Sequence, residues 1–85
     1  MESYRLLIKP SAAKELERLP TKDRKRVVAR MQGLSTQPRP SGCEKLTGYD
    51  LFRIRQGDYR ILYEVQDPGL VVTVFKIGHR RDVRR

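Results

Sequence analysis

The sequence is short of the residues that hold many small proteins together by covalent or metal bonds. Its 85 residues include one cysteine, one histidine and no tryptophan. A lone Cys43 excludes an internal disulfide and cannot build a zinc-binding cysteine set. This usage suits a reducing compartment. We therefore expect a cytoplasmic protein with no metal and no other cofactor.

Long apolar runs are also missing. No stretch approaches the roughly 20 apolar residues that a membrane-spanning helix needs. Glu2 and Tyr4 interrupt the segment where a signal peptide would have its apolar core. No repeat or linker divides the chain, so we expect a single domain over residues 1–85 with a thin core and no membrane partner.

Acidic residues are outnumbered by basic ones. The chain has 10 Asp and Glu against 19 Lys and Arg, a formal net charge of +9, and 13 of the basic residues are arginine. An excess of this size in a short chain points to a polyanion or an acidic protein as the partner. Arginine is the side chain best suited to phosphate, because its guanidinium donates paired hydrogen bonds and stays charged.

Hydrophobic spacing predicts the element order β-α-α-β-β-β. A strand around Leu6–Ile8 precedes two amphipathic helices, with Ser11 and Thr21 as the expected N-caps and Glu15 near the position of a capping-box acid. An irregular loop covers residues 37–50, and strands follow over residues 49–56, 59–66 and 70–78, the last apolar on both faces as in a central strand. We therefore predict an α+β fold, a small antiparallel sheet with the helix hairpin packed on one face.

The segment "FRIRQGDYRILYEV" predicts a hairpin with one basic face. Phe52 and Ile54 alternate with Arg53 and Arg55, and Arg60 follows a tight turn. Like charges on neighbouring strands destabilise each other unless something neutralises them, so we expect this face to bind phosphate. We interpret Phe52, Tyr59 and Tyr63 as core residues, with stacking on bases as the alternative.

His79 is the candidate proton acceptor. Histidine is the side chain that ordinarily changes charge near neutral pH. Its neighbours Arg80 and Arg81 would favour the neutral imidazole, which accepts a proton. A lone histidine is often incidental, and that alternative stays open.

These motifs together resemble the RelE/ParE superfamily of bacterial and archaeal toxins, most closely its RelE branch. The resemblance covers nearly the whole chain. The segment "GDYRILYEV", followed about a dozen residues later by "IGHRRDV", carries it.

The resemblance implies a ribosome-dependent, metal-independent endoribonuclease that cuts messenger RNA in the ribosomal A site. The 2′-hydroxyl attacks the adjacent phosphate and leaves a 2′,3′-cyclic phosphate and a free 5′-hydroxyl. The implied catalytic set is Arg53, Arg55, Arg60, His79 and Arg80. RNA contacts are expected from Lys76, Arg81 and Arg84.

One position departs from the family pattern. Many RelE-like chains end in a sequence such as "HRRDVYR", whereas this chain ends in "HRRDVRR" and has Arg84 at the place of the tyrosine. Arginine stacks on a base and contacts phosphate, but it moves a proton poorly. The resemblance therefore leaves open whether catalysis is attenuated.

Two other functions stay open on the same scaffold. One is a ParE-type toxin that inhibits DNA gyrase, and the other is a protein that binds RNA or the ribosome without chemistry. In each toxin reading we expect a cognate antitoxin that folds over the helices or the open sheet face.

Overall fold

The computed structural model describes residues 3–46 and 51–79 of the chain. The predicted α+β class is confirmed, with a helix hairpin followed by a meander of three longer strands. No helix in these residues has the length and apolar character needed to span a bilayer. The elements in chain order are β1 Arg5–Ile8, α1 Pro10–Glu17, α2 Thr21–Gly33, β2 Glu44–Lys45, β3 Leu51–Gln56, β4 Tyr59–Gln66 and β5 Val71–His79.

The strands form one five-stranded sheet in the order β1-β5-β4-β3-β2. β3, β4 and β5 are antiparallel neighbours, as predicted, and β5 is an inner strand. β1 instead pairs in parallel with β5, because the helix hairpin supplies the crossover that a parallel pair requires. The two-residue β2, which lies within the predicted loop, pairs antiparallel with β3. The sheet is therefore mixed rather than wholly antiparallel.

Both helices begin differently from the prediction. α1 starts at Pro10 with Lys9 as its N-cap, and α2 starts at Thr21 with Pro20 as its N-cap. Neither cap residue makes a side-chain hydrogen bond, so the expected Ser11 and Thr21 caps are wrong. A proline at the first helical position fits because its fixed φ is helical and its missing N–H would have had no partner there.

The core lies between the helix hairpin and one face of the sheet. Phe52 and Tyr63 stack inside it with ring centroids 5.7 Å apart, and the Tyr63 hydroxyl donates to the Pro38 carbonyl at 2.8 Å. Burial raises the pKa of Tyr63. Tyr59 packs against the same core, so all three aromatics are core residues as interpreted. The buried cluster comprises Ala12, Val27, Met31, Leu34, Phe52, Ile54, Ile61, Tyr63, Val65, Val72, Val74 and Ile77.

The turn between β3 and β4 fixes the register of the hairpin. Gln56 pairs with Tyr59, so Gly57 and Asp58 form the two-residue loop. Gly57 has φ of 61°, in the left-handed region that the first position of a primed hairpin turn requires. This register places Ile54 opposite Ile61 on the core face.

β5 contains a bulge, and beyond it the side chains that would alternate onto one face of the sheet lie on the other. Tyr63 pairs with Val74, but Leu62 pairs with Lys76, so Phe75 is the extra residue. The Glu15 carboxylate on α1 accepts hydrogen bonds from the Ile77 backbone N–H at 2.9 Å and from the Lys76 ammonium at 3.2 Å. Glu15 therefore supports the strand beyond the bulge, and the expectation that it belongs to a capping box is wrong.

We expect Glu15→Ala to lower the free energy of unfolding by about 1–2 kcal/mol, since it leaves the Ile77 N–H without its acceptor in a partly buried place. Chemical denaturation of the variant and the parent measures the change. Glu17→Ala, an exposed substitution on the same helix, is the control and should leave the midpoint nearly unchanged. Equal midpoints for the two variants would contradict the role assigned to Glu15.

A polar cluster ties the N-terminus to the turn after β4. Tyr4 Oη donates to Asp67 Oδ1 at 2.6 Å, and Arg39 Nη2 donates to Asp67 Oδ2 at 2.9 Å. The Arg39 guanidinium also lies 5.2 Å from the centre of the Phe52 ring. The hydrogen bonds from Arg39 and Tyr4 hold the pKa of Asp67 below its ordinary 3.8.

A lowered pKa in the folded state means that Asp67 stabilises the protein above its unfolded pKa and loses this effect as the pH falls through its folded pKa. We expect Asp67→Asn to be less stable than the parent near pH 6. The difference should shrink as the pH falls below the ordinary pKa of 3.8, and it should disappear only below the lower pKa of the folded state. Urea denaturation of both proteins at the two pH values checks this, and a difference that persists unchanged in acid would refute it.

Candidate nucleic-acid interface

The three arginines of the β3–β4 hairpin share the sheet face that the helices leave uncovered. Arg53 and Arg55 alternate with the core residues Phe52 and Ile54, and Arg55 lies directly opposite Arg60. Cross-strand partners of this kind have their side chains on the same face, within about 5.5 Å at the Cβ atoms. The structure thus brings together Arg53, Arg55 and Arg60, which the sequence analysis assigned to the site.

Arg60 is the central member of this group. It is half-buried between Arg55 on β3 and Gly78 on β5. Gly78 has no side chain to cover it. The Arg60 Nε is buried and has no hydrogen-bond partner in the described part of the chain. Buried polar atoms are nearly always paired in folded proteins, so this donor marks a place where an acceptor is missing.

Arg53 is held by an acid that the sequence analysis did not identify. Its Nε and Nη2 atoms donate to Glu44 Oε1 at 3.1 and 2.8 Å. Glu44 lies directly opposite Arg53 because β2 pairs there with β3. The hydrogen bonds from Arg53 keep the pKa of Glu44 below its ordinary value. A pair of residues inside an irregular loop has no periodicity, so no sequence signal placed Glu44 at this face.

His79 lies on the other side of the sheet from the arginines. It pairs with Tyr59, and the two rings meet edge to face with centroids 5.9 Å apart. The Tyr59 hydroxyl donates to Asp23 Oδ2 on α2 at 3.1 Å. Two effects raise the pKa of Tyr59: its burial, which is the larger, and its hydrogen bond to the Asp23 carboxylate. His79, Tyr59 and Asp23 line a cavity of about 280 Å³ beside the hairpin turn. The structure therefore does not bring His79 together with Arg60.

The remaining predicted residues divide into two groups. Lys76 is engaged by Glu15 of α1, at 3.2 Å between the ammonium and the carboxylate. Arg80, Arg81 and Arg84 lie outside the described residues. Within residues 3–46 and 51–79, no three His, Cys, Asp or Glu side chains converge as a metal site would require.

A comparison with protein families gives a match over nearly the whole chain. The profile described as "ParE toxin of type II toxin-antitoxin system, parDE" matches residues 6–84. No curated protein matches the chain at a significant level.

Solved structures with the same fold include RelE toxins. The toxin–antitoxin complex RelBE2 from Mycobacterium tuberculosis matches with a TM-score of 0.83 and 29% identity, over 96% of this chain and 97% of the matched chain. The archaeal RelE–RelB complex from Pyrococcus horikoshii OT3 matches with a TM-score of 0.80 and 30% identity, over 94% and 98%. The isolated E. coli RelE toxin matches with a TM-score of 0.79 and 28% identity, over 96% and 86%.

The profile match spans all but the first five residues and the last one, and the matched structures superpose over most of both chains. The sequence resemblance to the superfamily is thereby confirmed. The chain belongs to the family of ParE toxins of type II toxin–antitoxin systems, within the RelE/ParE superfamily, and has the fold of the RelE toxins.

Proposed function

We propose that this toxin is a ribosome-dependent endoribonuclease that cuts messenger RNA in the A site. The observation that carries the proposal is Arg60, whose buried Nε has no partner in the described residues and which stands opposite Arg55 on the sheet face away from the helices. A phosphate oxygen supplies the missing acceptor. It also neutralises two guanidiniums that otherwise repel each other.

The chemistry that fits this face is transfer of the phosphoryl group within the RNA. The substrate's 2′-hydroxyl oxygen bonds to the adjacent phosphorus, the bond from phosphorus to the 5′-oxygen breaks, and a cyclic phosphate and a 5′-hydroxyl result. The 2′-hydroxyl gives up a proton and the leaving oxygen takes one. Arg55 and Arg60 stabilise the negative charge on the phosphorane-like transition state, a term that is often the largest in catalysis.

The proton acceptor is a separate question, because arginine does not lose its proton at working pH. Glu44 faces the same side, but Arg53 lowers the pKa of Glu44 and makes it a weak base. His79 stays in the proposal as the candidate proton acceptor, because it lies at the end of β5 in the same sheet. Its ring would have to leave Tyr59 to reach a substrate on the arginine face.

The proposal includes the rest of the predicted interactions. Arg80 is assigned to the scissile phosphate, and Lys76, Arg81 and Arg84 to the RNA. A cognate antitoxin is the expected protein partner, since relatives with the same fold are seen as complexes of RelE with RelB. An RNA target on the ribosome also places the protein's action in the cytoplasm.

A second candidate is inhibition of DNA gyrase. The observation in its favour is that the matching family profile is that of ParE toxins. The two candidates differ in what they require of the arginine face. Cleavage of RNA needs these arginines to bind a phosphate, whereas gyrase inhibition involves no RNA phosphate. Supercoiling by purified gyrase in the presence of the toxin tests this candidate directly.

We expect Arg60→Gln to slow ribosome-dependent cleavage by about 100-fold, the usual cost of removing one donor that stabilises the transition-state charge. Full-length messenger remaining in a reconstituted translation system is the measurement. Arg18→Gln removes the same charge at an exposed position at the end of α1 and serves as the matched control.

Equal cleavage by Arg60→Gln and Arg18→Gln would refute the proposed site. If the parent cuts no messenger, Arg84→Tyr distinguishes the remaining cases. Restored cutting would identify an attenuated nuclease, whereas continued inactivity with loss of gyrase supercoiling would establish the second candidate.

Glu44 competes with RNA for Arg53, so its neutralisation should strengthen RNA binding. We expect Glu44→Gln to bind a short single-stranded RNA about 2- to 5-fold more tightly, the range typical of a solvent-accessible ion pair. Fluorescence anisotropy measures the dissociation constant. Glu17→Gln changes the net charge equally on exposed α1 and should have a smaller effect, and a Glu44→Gln that binds more weakly than the parent would contradict the prediction.

A further inference from the structure

A second basic site lies at the outer edge of β3, the strand next to the one that contains Arg60. A cavity of about 420 Å³ is lined by Arg30 of α2, Arg55 of β3, Gly42 and Glu44. The cavity lies where β2 has ended: β2 pairs with Phe52 and Arg53 only, and no other described strand pairs with β3 on this outer edge. Gly42 has φ of 91°, a conformation that favours glycine, and a Cβ built there would point into open space with nothing within 4 Å.

The charges in this cavity are not balanced. Within the described residues, neither Arg30 nor Arg55 makes a hydrogen bond or an ion pair. The acid in the lining, Glu44, accepts two hydrogen bonds from Arg53 and also attracts Arg55 through space. Two guanidiniums therefore line one water-accessible cavity with a single carboxylate that a third arginine already shares, and an oxyanion would stabilise this excess of positive charge.

The cavity adjoins the proposed phosphate site through Arg55. Arg55 lies directly opposite Arg60 across the hairpin, and it also lines the cavity with Arg30. A single RNA strand has one phosphate per nucleotide, so neighbouring phosphates suit neighbouring arginine sites. A strand held at Arg60 has its next phosphate within reach of the edge where Arg55 lies.

We propose that Arg30 and Arg55 bind a phosphodiester next to the one held at Arg60, so that the RNA leaves the sheet face over the open edge of β3. The ligand is the anionic backbone, and its recognition does not depend on base identity. This inference rests on the proposed function and assigns a role to Arg30 of α2, a residue that the sequence analysis did not include in the site.

The test uses the full chain and a short single-stranded RNA with 2′-O-methyl riboses, which cannot be cleaved. The dissociation constant is measured over a range of salt concentrations for the parent, Arg30→Gln, Arg30→Lys and Arg60→Gln. Arg18→Gln is the matched control, because it loses the same charge outside the cavity. Thermal unfolding of each variant verifies that it is folded.

We expect Arg30→Gln to reduce the slope of log K against log salt by about 0.7, the contribution of one phosphate on a single strand. Arg30→Lys and Arg18→Gln should keep the parent's slope. Replacing one phosphodiester at a time by a neutral methylphosphonate should weaken binding to the parent at two adjacent positions. One of these positions should lose its effect in Arg30→Gln, and the other in Arg60→Gln.

If Arg30→Gln kept the parent's slope of log K against log salt while Arg60→Gln had a reduced slope, this second site would be overturned and the proposed function would stand. An unchanged slope in Arg60→Gln, or no binding of RNA by the parent, would overturn both. The two failures are therefore distinguishable in one set of titrations.

Discussion

The register of β4 against its two neighbours is the constraint on which the rest of the structure depends. On one side the Gly57–Asp58 turn places Arg55 opposite Arg60, and on the other side Arg60 lies opposite Gly78. A slip of one residue in either pairing would move the arginines into the core and the core residues into solvent. The same register that buries Ile54 and Ile61 thus aligns the basic face.

This alignment has a cost in the free protein, because neighbouring guanidiniums repel each other and the buried Arg60 Nε has no partner among the residues that the structure describes. Glu44 offsets part of the repulsion by binding Arg53, while Arg60 has no such partner in the described residues. Both helices pack on the opposite face and leave the arginine face free of helices. At this hairpin the proposed phosphate binding would therefore come at a cost in stability, as is common where a site is arranged before its ligand binds.

Much of the fold and part of the site follow from local pattern. The alternation of Phe52 and Ile54 with arginine, together with the Gly-Asp turn, is sufficient to predict the hairpin and its basic face. The parallel pairing of β1 and the existence of β2 depend on contacts between distant segments, which periodicity does not record. The bulge at Phe75 is the most consequential feature of this kind: it places Ile77 and His79 on the core side with Val72 and Val74, whereas unbroken alternation would place His79 beside Arg60.

The claim that Arg60 waits for a phosphate is tested most directly by NMR of its own guanidinium. The measurement is the ¹H–¹⁵N resonance of Arg60 Nε–H in the free toxin and with a short 2′-O-methyl RNA. The account predicts a downfield proton shift and slower solvent exchange for Arg60, as a new hydrogen bond to phosphate would cause, with Arg18 unaffected. An Arg60 resonance that stays in place while RNA shifts other arginines would contradict it.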